Sequence, residues 1–337
     1  QMGLRLTEGA RPDIYLGFEF SEAEMVLVKG LPPAQEMRGH ASLFRNRFVA
    51  AAEGGHVTAP QGGRVDLAGT VFIVPDTTIK PAPAEVELRT DGTITATLSL
   101  LDQEPFRFLA KAGRPVTLAD GRVRLDGRMA FPLKKGRTPD EYDVVVDGTI
   151  SDLRSDVLVP GRRLAAQQVD MHLADNLLSF EGGARIGAVP VGGRFETQLG
   201  PKGDGSARID GWVELSERFI DEFRIGVPPG SLQGQGRARI AMDLQKDQPP
   251  EFRLTTDFAG VGLRIAALDW SLPRAARGQL TVEGAFGKPA RIDRLAIDAP
   301  GLTAAGSLTL SETGGMAEAR FDRVQVGGWF DGPVTLT

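Results

Sequence analysis

The sequence predicts a mainly β protein, a strongly curved antiparallel sheet with one wet face, one dry face and about one short helix. Three observations predict it. Runs of alternating apolar and polar residues recur along the chain with the period of two that a half-buried strand requires. Forty-two glycines and 22 prolines punctuate the runs, as tight turns demand. Glycine also sits inside the runs on the apolar parity, at Gly127, Gly148, Gly284 and Gly306, where a missing side chain permits a bend or a close backbone approach.

Taken in chain order, the stretch SLFRNRFVAAAEGG from Ser42 is expected to form a hairpin turning at Arg45-Asn46-Arg47, although its alanine run would also suit a helix. Ile94, Ala96, Leu98 and Leu100 alternate with polar residues and predict a strand with those four on the dry side. Phe106 and Phe108 extend the dry parity. In 122–131, Val123, Leu125, Met129 and Phe131 share one parity around Gly127, while Arg122, Arg124, Asp126 and Arg128 hold the other. Val144, Val146, Gly148 and Ile150 repeat the pattern, and His172 lies on the polar parity between Met171 and Leu173.

Leu215 to Ile225, LSERFIDEFRI, is the one predicted helix, with Phe219 and Phe223 four apart, Ser216 placed to cap the start, and Gly226 and Pro228-Pro229 to end it. Ala238, Ile240, Met242 and Leu244 predict a further strand, which already contains Gly234-Gln235-Gly236. Residues 278–310 read as three strands whose dry positions include Leu280, Val282, Phe286, Leu302, Ala304, Leu308 and Leu310. One helix cannot cover some twenty strands. The dry face must therefore meet another sheet, curl upon itself or hold a ligand.

Gly30-Leu31-Pro32-Pro33 before Met37-Arg38-Gly39 echoes Gly226-Val227-Pro228-Pro229 before Leu232-Gln233-Gly234. The echo favours a stacked, elongated build, one continuous segment over 1–337 with sub-modules at about 1–200 and 201–337. No stretch nears the roughly 18 apolar residues of a spanning helix, and Gln1-Met2-Gly3-Leu4 lacks a signal-peptide pattern. Residues 327–337 stop inside what reads as a new strand, so the segment is expected to be excised from a longer chain.

Composition narrows the function classes. The 39 basic and 44 acidic residues give a net charge of −5 without a basic block, which argues against nucleic acid as a partner. Zero cysteines exclude disulfides, thiolate-bound zinc and thiol catalysis. His40, His56 and His172 show no paired metal-ligand spacing, so no metal site is expected. Serines near glycine at GLTAAGSLTL and PPGSLQGQG lead into no helix, and no phosphate-cradling loop is present. Adjacent carboxylates such as Asp221-Glu222 and the pair Glu22 and Glu24 fall on solvated faces. Three Trp and two Tyr are few for stacking on sugars, and Trp212 and Trp270 are expected to anchor sheet ends. Seventeen Phe beside Leu, Ile and Val suit aliphatic chains instead.

Two stretches carry a family resemblance: GLPPAQEMRGHASLFRNRFVAAAEGGHV, and TTDFAGVGLRIAALDWSLPRAARGQLTVEGAFGKPARIDRLAIDAPGLTAAGSLTL. With strand ends such as LDGRMAF and LAGTVFI, the chain resembles the AsmA-like bacterial envelope proteins of the YhdP and TamB type, members of the bridge-like lipid transfer superfamily. The resemblance covers most of the chain and rests on glycine and alternation rather than on a catalytic signature. It implies a taco-like β-groove with an apolar concave face, in a periplasmic protein anchored to the inner membrane of a Gram-negative bacterium. It further implies carriage of phospholipid toward the outer membrane, with neither cofactor nor catalytic residues.

The expected lining is Ile94, Leu98, Leu100, Phe106, Phe108, Val123, Leu125, Met129, Phe131, Val144, Val146, Met171, Leu173, Leu280, Val282, Phe286, Leu308 and Leu310. Covering an acyl chain of about sixteen carbons at ~0.8 kcal/mol per CH₂ would release ~12 kcal/mol before ordering costs. The alternative is a structural or adhesive β protein with a closed core and an outer interaction surface.

Overall fold

The computed structural model describes residues 2–5, 13–104, 106–137, 141–200, 203–287, 290–310 and 316–336. The fold is mainly β, with twenty strands in a large antiparallel sheet that does not close into a barrel. Strands take 63% of the residues and helices 8%, so helices can shield only part of the sheet. The chain divides into two compact units, Gln1–Phe180 and Glu181–Thr337.

The first unit holds β1 (Met2–Arg5), β2 (Asp13–Met25), β3 (Ala34–Phe44), β4 (Arg47–Thr58), β5 (Arg64–Asp66), β6 (Val71–Val74) and β7 (Ala82–Thr93). Two helices follow, α1 (Ile94–Leu101) and α2 (Phe108–Lys111), and then β8 (Asp120–Leu133), β9 (Asp143–Val159) and β10 (Arg162–Ala174). Neighbours in sequence pair antiparallel from β1 to β4. β4 then pairs with both β5 and β6, each of which pairs with β7. The series continues through β8 and β9 to β10. The hairpin expected around Arg45 forms, with Phe44 opposite Arg47 and Arg45 in the left-handed region at φ 52°.

Residues 94–101 are a helix, not the strand that their alternation predicts. Ile94, Leu98 and Leu101 also satisfy helical spacing, so a run this short fits both periods. Contacts distant in sequence decide between them. The Thr93 hydroxyl accepts from the Ala96 amide at 3.0 Å and donates to the Gly62 carbonyl at 2.8 Å, capping the first turn against the β4–β5 loop. Ala96, fully buried, packs on Ala59 and Val65, and Leu100 reaches the cluster of Ala34, Met37, Ala52, Val57 and Leu67. Phe106 and Phe108 also leave the expected strand. They flank Arg107, which is left-handed at φ 51°, with Phe106 in the connection between α1 and α2, Phe108 opening α2, and their rings stacked at 5.7 Å.

β11 (Leu177–Ile186) carries the chain into the second unit, which holds β12 (Val189–Gln198), β13 (Ala207–Leu215), α3 (Glu217–Phe223), β14 (Leu232–Gly234), β15 (Gly236–Leu244) and β16 (Glu251–Thr256). It continues with β17 (Val261–Ile265), β18 (Trp270–Leu272), β19 (Gln279–Ala285), β20 (Arg291–Ala299), β21 (Leu302–Leu310), β22 (Met316–Val326) and β23 (Phe330–Leu336). The large sheet here runs β12, β13, β15, β16, β19, β20, β21, β22, β23. A separate three-stranded sheet pairs β17 with β14 and β18. The strand expected through Gly234-Gln235-Gly236 is thus broken at Gln235, where Gly234, at φ 86°, turns the chain from the small sheet into the large one.

The expected helix forms as α3, although Ser216 does not cap it through its side chain. Its hydroxyl donates to Glu214 Oε1 at 2.7 Å instead. The small sheet and α3 cover one end of the second unit's apolar face. Leu232, Val261, Trp270 and Leu272 bury against Val213, Ala238, Ile297, Leu302 and Val326, with Phe219, Ile220 and Phe223 of α3 alongside. Three helices and a second sheet therefore replace the single covering helix expected from sequence. Among the described residues no helix is long and apolar enough to cross a membrane.

The two faces should respond differently to truncation. Phe258, 2% exposed in the second unit's core, is expected to lose about 3–5 kcal/mol on replacement by Ala. Half-buried Leu125 of β8 should lose only about 1 kcal/mol on the same change. Urea titration of the two variants measures both.

Candidate functional site

The site is the apolar face of the first unit, assembled row by row by strand register. Val123 of β8 lies opposite Gly92 on one side and Ile150 on the other, and Ile150 opposite Val169. The next rows join Thr90, Leu125, Gly148 and Met171, then Leu88, Gly127, Val146 and Leu173. Val86, Met129 and Val144 form a fourth row, and Ala84 with Phe131 a fifth. Directly opposed residues project from the same face, so each row is a continuous apolar strip across the strands.

Val123, Val146 and Ile150 are buried, whereas Leu125, Met129, Phe131, Val144, Met171 and Leu173 are half-buried. Gly148 shows how the strip packs. A Cβ there would lie 2.8 Å from Leu125 Cδ2 and 3.1 Å from Met171 Cε, so the two neighbours occupy the space above the glycine. Gly127 and Gly148 sit in regular register, while Gly284 and Gly306 mark register shifts, so both expected uses of glycine occur.

One end of the face is closed by α1, which packs on β7 and β8. The other is aromatic. Phe48 and Phe72 meet edge to face at 6.3 Å, and Phe131 lies 5.5 Å from Tyr142. The Arg137 guanidinium stands 4.9 Å over the Phe131 ring and donates to the Tyr142 hydroxyl at 2.8 Å.

The opposite face of the same strands is charged. Arg89 pairs with Asp126 at 2.8 Å, Arg128 with Glu85 at 3.1 Å, Asp91 with Arg122 and Arg124, and His172 with Asp147 at 2.8 Å. A cleft of about 370 Å³ on this side is lined by Asp66, Arg89, Asp91, Arg124 and Asp126. Within it Arg89 pairs with Asp126 and Arg124 with Asp91, and Asp66 accepts from the Ala68 amide at 2.8 Å. Among the described residues no group of three His, Asp or Glu side chains is arranged to hold a metal ion.

The structure brings together eight of the predicted lining residues, Val123, Leu125, Met129, Phe131, Val144, Val146, Met171 and Leu173. It separates others. Ile94, Leu98 and Leu100 belong to the covering helix α1. Phe106 lies in the turn after it and Phe108, 51% exposed, begins α2.

In the second unit Leu280 packs against the closed core, and Val282 lies between Leu254 and Leu295. Phe286 follows β19 and stacks on Phe252 at 4.6 Å. Leu308 is half-buried between Ile292 and Ala319. The backbone of Leu310 pairs with Met316, and its side chain lies outside the described residues. Ala84, Val86 and Leu88 of β7 belong to the face but were not among the residues predicted. Their alternation with Glu85, Glu87 and Arg89 is the signal that would have found them. Trp270 anchors the small sheet, donating from Nε1 to the Pro300 carbonyl at 2.9 Å, and Trp212 lies under Arg237 at 4.1 Å.

Fold and face together define an antiparallel β-sheet protein, not a closed barrel, whose first unit has one charged side and one apolar side that is only partly covered. No family model, curated protein or solved structure matches the chain.

One ion pair ties α3 to the strand that precedes it. Arg218 of α3 donates to both Glu214 oxygens, at 2.7 and 2.8 Å, and this pairing holds the Glu214 carboxyl below its ordinary range. A depressed carboxyl contributes stability above its unfolded-state pKa and loses it as pH falls through the folded value. Glu214→Gln is therefore expected to lower the melting temperature at neutral pH, and the deficit should shrink as the pH is taken down through the lowered folded-state pKa of Glu214. Thermal melts of both proteins across that range check this.

Proposed function

We propose that the apolar face of the first unit holds the acyl chains of phospholipid. The protein is then a segment of a periplasmic lipid-carrying bridge between the inner and outer membranes, without catalytic activity of its own. The observation that carries this reading is the half-buried state of Leu125, Met129, Phe131, Val144, Met171 and Leu173, large apolar side chains in contiguous rows. Leaving such rows partly in water is costly, at about 25 cal/mol for each Å² of apolar surface, and an aliphatic ligand recovers that cost. Along β8 the rows extend from Val123 to Phe131, about 27 Å at ~3.4 Å per residue, so a chain can lie along the strand. Thr90 is the one polar side chain in these five rows, so little in them would fix a chain at one position, which suits sliding. The charged opposite face keeps the other side of the sheet wet.

A second reading draws on the second unit. Its small sheet, α3 and large sheet share a core in which Phe258, Leu272, Val189 and Val261 are fully buried. That closed interior favours a structural or adhesive module for this unit, with its interactions on the outside.

Mass spectrometry of organic extracts tests the first reading. Purified protein is expected to carry phospholipid, and Leu125→Asp should lose most of it while keeping its circular dichroism spectrum, since Leu125 is half-buried. An extract free of acyl lipid, or one unchanged by Leu125→Asp, would contradict it.

A further inference from the structure

We propose that the tip of the first unit formed by the loop after β2 and the segment around α2 docks on an anionic phospholipid bilayer. The inference deepens the lipid-holding reading and rests on it for its purpose, because a face that holds acyl chains needs a membrane to exchange them with.

The apolar part of the tip is exposed. Val26, Leu27 and Val28 follow one another at 71%, 53% and 36% exposure, and Phe108 is 51% exposed. Three consecutive apolar residues in water are unusual at a loop apex, where polar residues cost less. The two segments lie side by side: a Cβ on Gly30 would come within 3.0 Å of the Glu104 carbonyl carbon.

The charge of the two segments themselves is positive. Residues 26–30 and 106–114 contribute Lys29, Arg107, Lys111 and Arg114, all exposed, and no carboxylate. Of the flanking acids, Asp102 accepts from the Ala110 amide at 2.7 Å and Glu104 pairs with Arg107 at 3.5 Å, while Glu24 is exposed two residues before Val26, so the excess of cations rests on Lys29, Lys111 and Arg114. The whole chain carries a net charge of −5, so this concentration of cations runs against its composition.

Apolar side chains ringed by Lys and Arg match a bilayer interface, where the former enter the headgroup boundary and the latter meet phosphates. A second copy of the same tip would set cation against cation, which disfavours self-association here. The position also fits the purpose. α1 leads into this tip and closes the adjoining end of the apolar face by packing on β7 and β8.

Vesicle flotation of the full 337-residue chain tests the proposal, using phosphatidylcholine alone and phosphatidylcholine mixed with phosphatidylglycerol. The chain is expected to float with the anionic vesicles, less so as salt is raised. Lys29→Glu with Lys111→Glu should weaken binding at least about tenfold, and Leu27→Asp with Phe108→Asp should abolish it. Leu27→Trp gives a readout that needs no disruptive change: its emission should shift to the blue on anionic vesicles.

No flotation of the parent chain, or folded variants that float like the parent, would overturn the docking proposal. An emission that stays put at position 27 would do the same. Acyl lipid in extracts of a chain that never floats would sink the docking and leave the lipid-holding face standing. Flotation that the variants abolish, by a chain whose extracts hold no lipid, would uphold the docking and remove the reading on which its purpose rests.

Discussion

Directly opposed residues of antiparallel strands point to the same side, so once the register between β8 and its neighbours is set, alternation within each strand becomes a continuous surface. Met129 lies between Val86 and Val144, Leu125 between Thr90 and Gly148, and Val123 between Gly92 and Ile150. A slip of one residue would turn Arg124, Asp126 and Arg128 onto the apolar side. The ion pairs on the wet side presuppose the same register, with Arg89 facing Asp126 and Asp91 facing Arg124. Each is exposed and contributes about 0–1 kcal/mol. Their value lies in penalising the alternatives, because a shifted sheet would bury unpaired guanidinium groups.

That constraint leaves every strand with a side that must be shielded, and the two units shield it differently. In the second unit the chain leaves the large sheet after β13, forms α3 and β14, and returns as β15, so the cover is supplied between adjacent strands of the large sheet. Phe258, left-handed at φ 59° and 2% exposed, sits in the core between the layers. In the first unit the comparable insertion between β7 and β8 is α1 and α2, only eight and four residues long. It closes one end and leaves half-buried rows from Leu125 to Phe131.

The fold class was legible because period-two alternation survives in isolation. In β8 and β9 each residue's parity follows from its neighbours alone, and the eight residues read from those strands and from β10 meet on one face. Ile94 to Leu100 misled because seven residues fit either period. The deciding contacts, Thr93 to Gly62 and Ala96 to Val65, join positions about thirty residues apart. The small sheet was hidden for a similar reason. β14 and β18 are three residues each, too short for a period to show, and they acquire meaning only through pairing with β17. Phe106 and Phe108 carried strand parity but sit around a left-handed Arg107, a conformation that alternation does not encode.

An acyl chain on the first unit's face would complete what α1 begins, and its presence can be read residue by residue. The most direct measurement is photocrosslinking in cells, with a benzophenone amino acid placed singly at Leu125, at Val144 and, on the opposite parity of β9, at Val145. Lipid adducts detected by mass spectrometry at positions 125 and 144 and absent at 145 are the expected result. Equal labelling at all three positions, or protein adducts in place of lipid at 125 and 144, would contradict an acyl chain lying on this face.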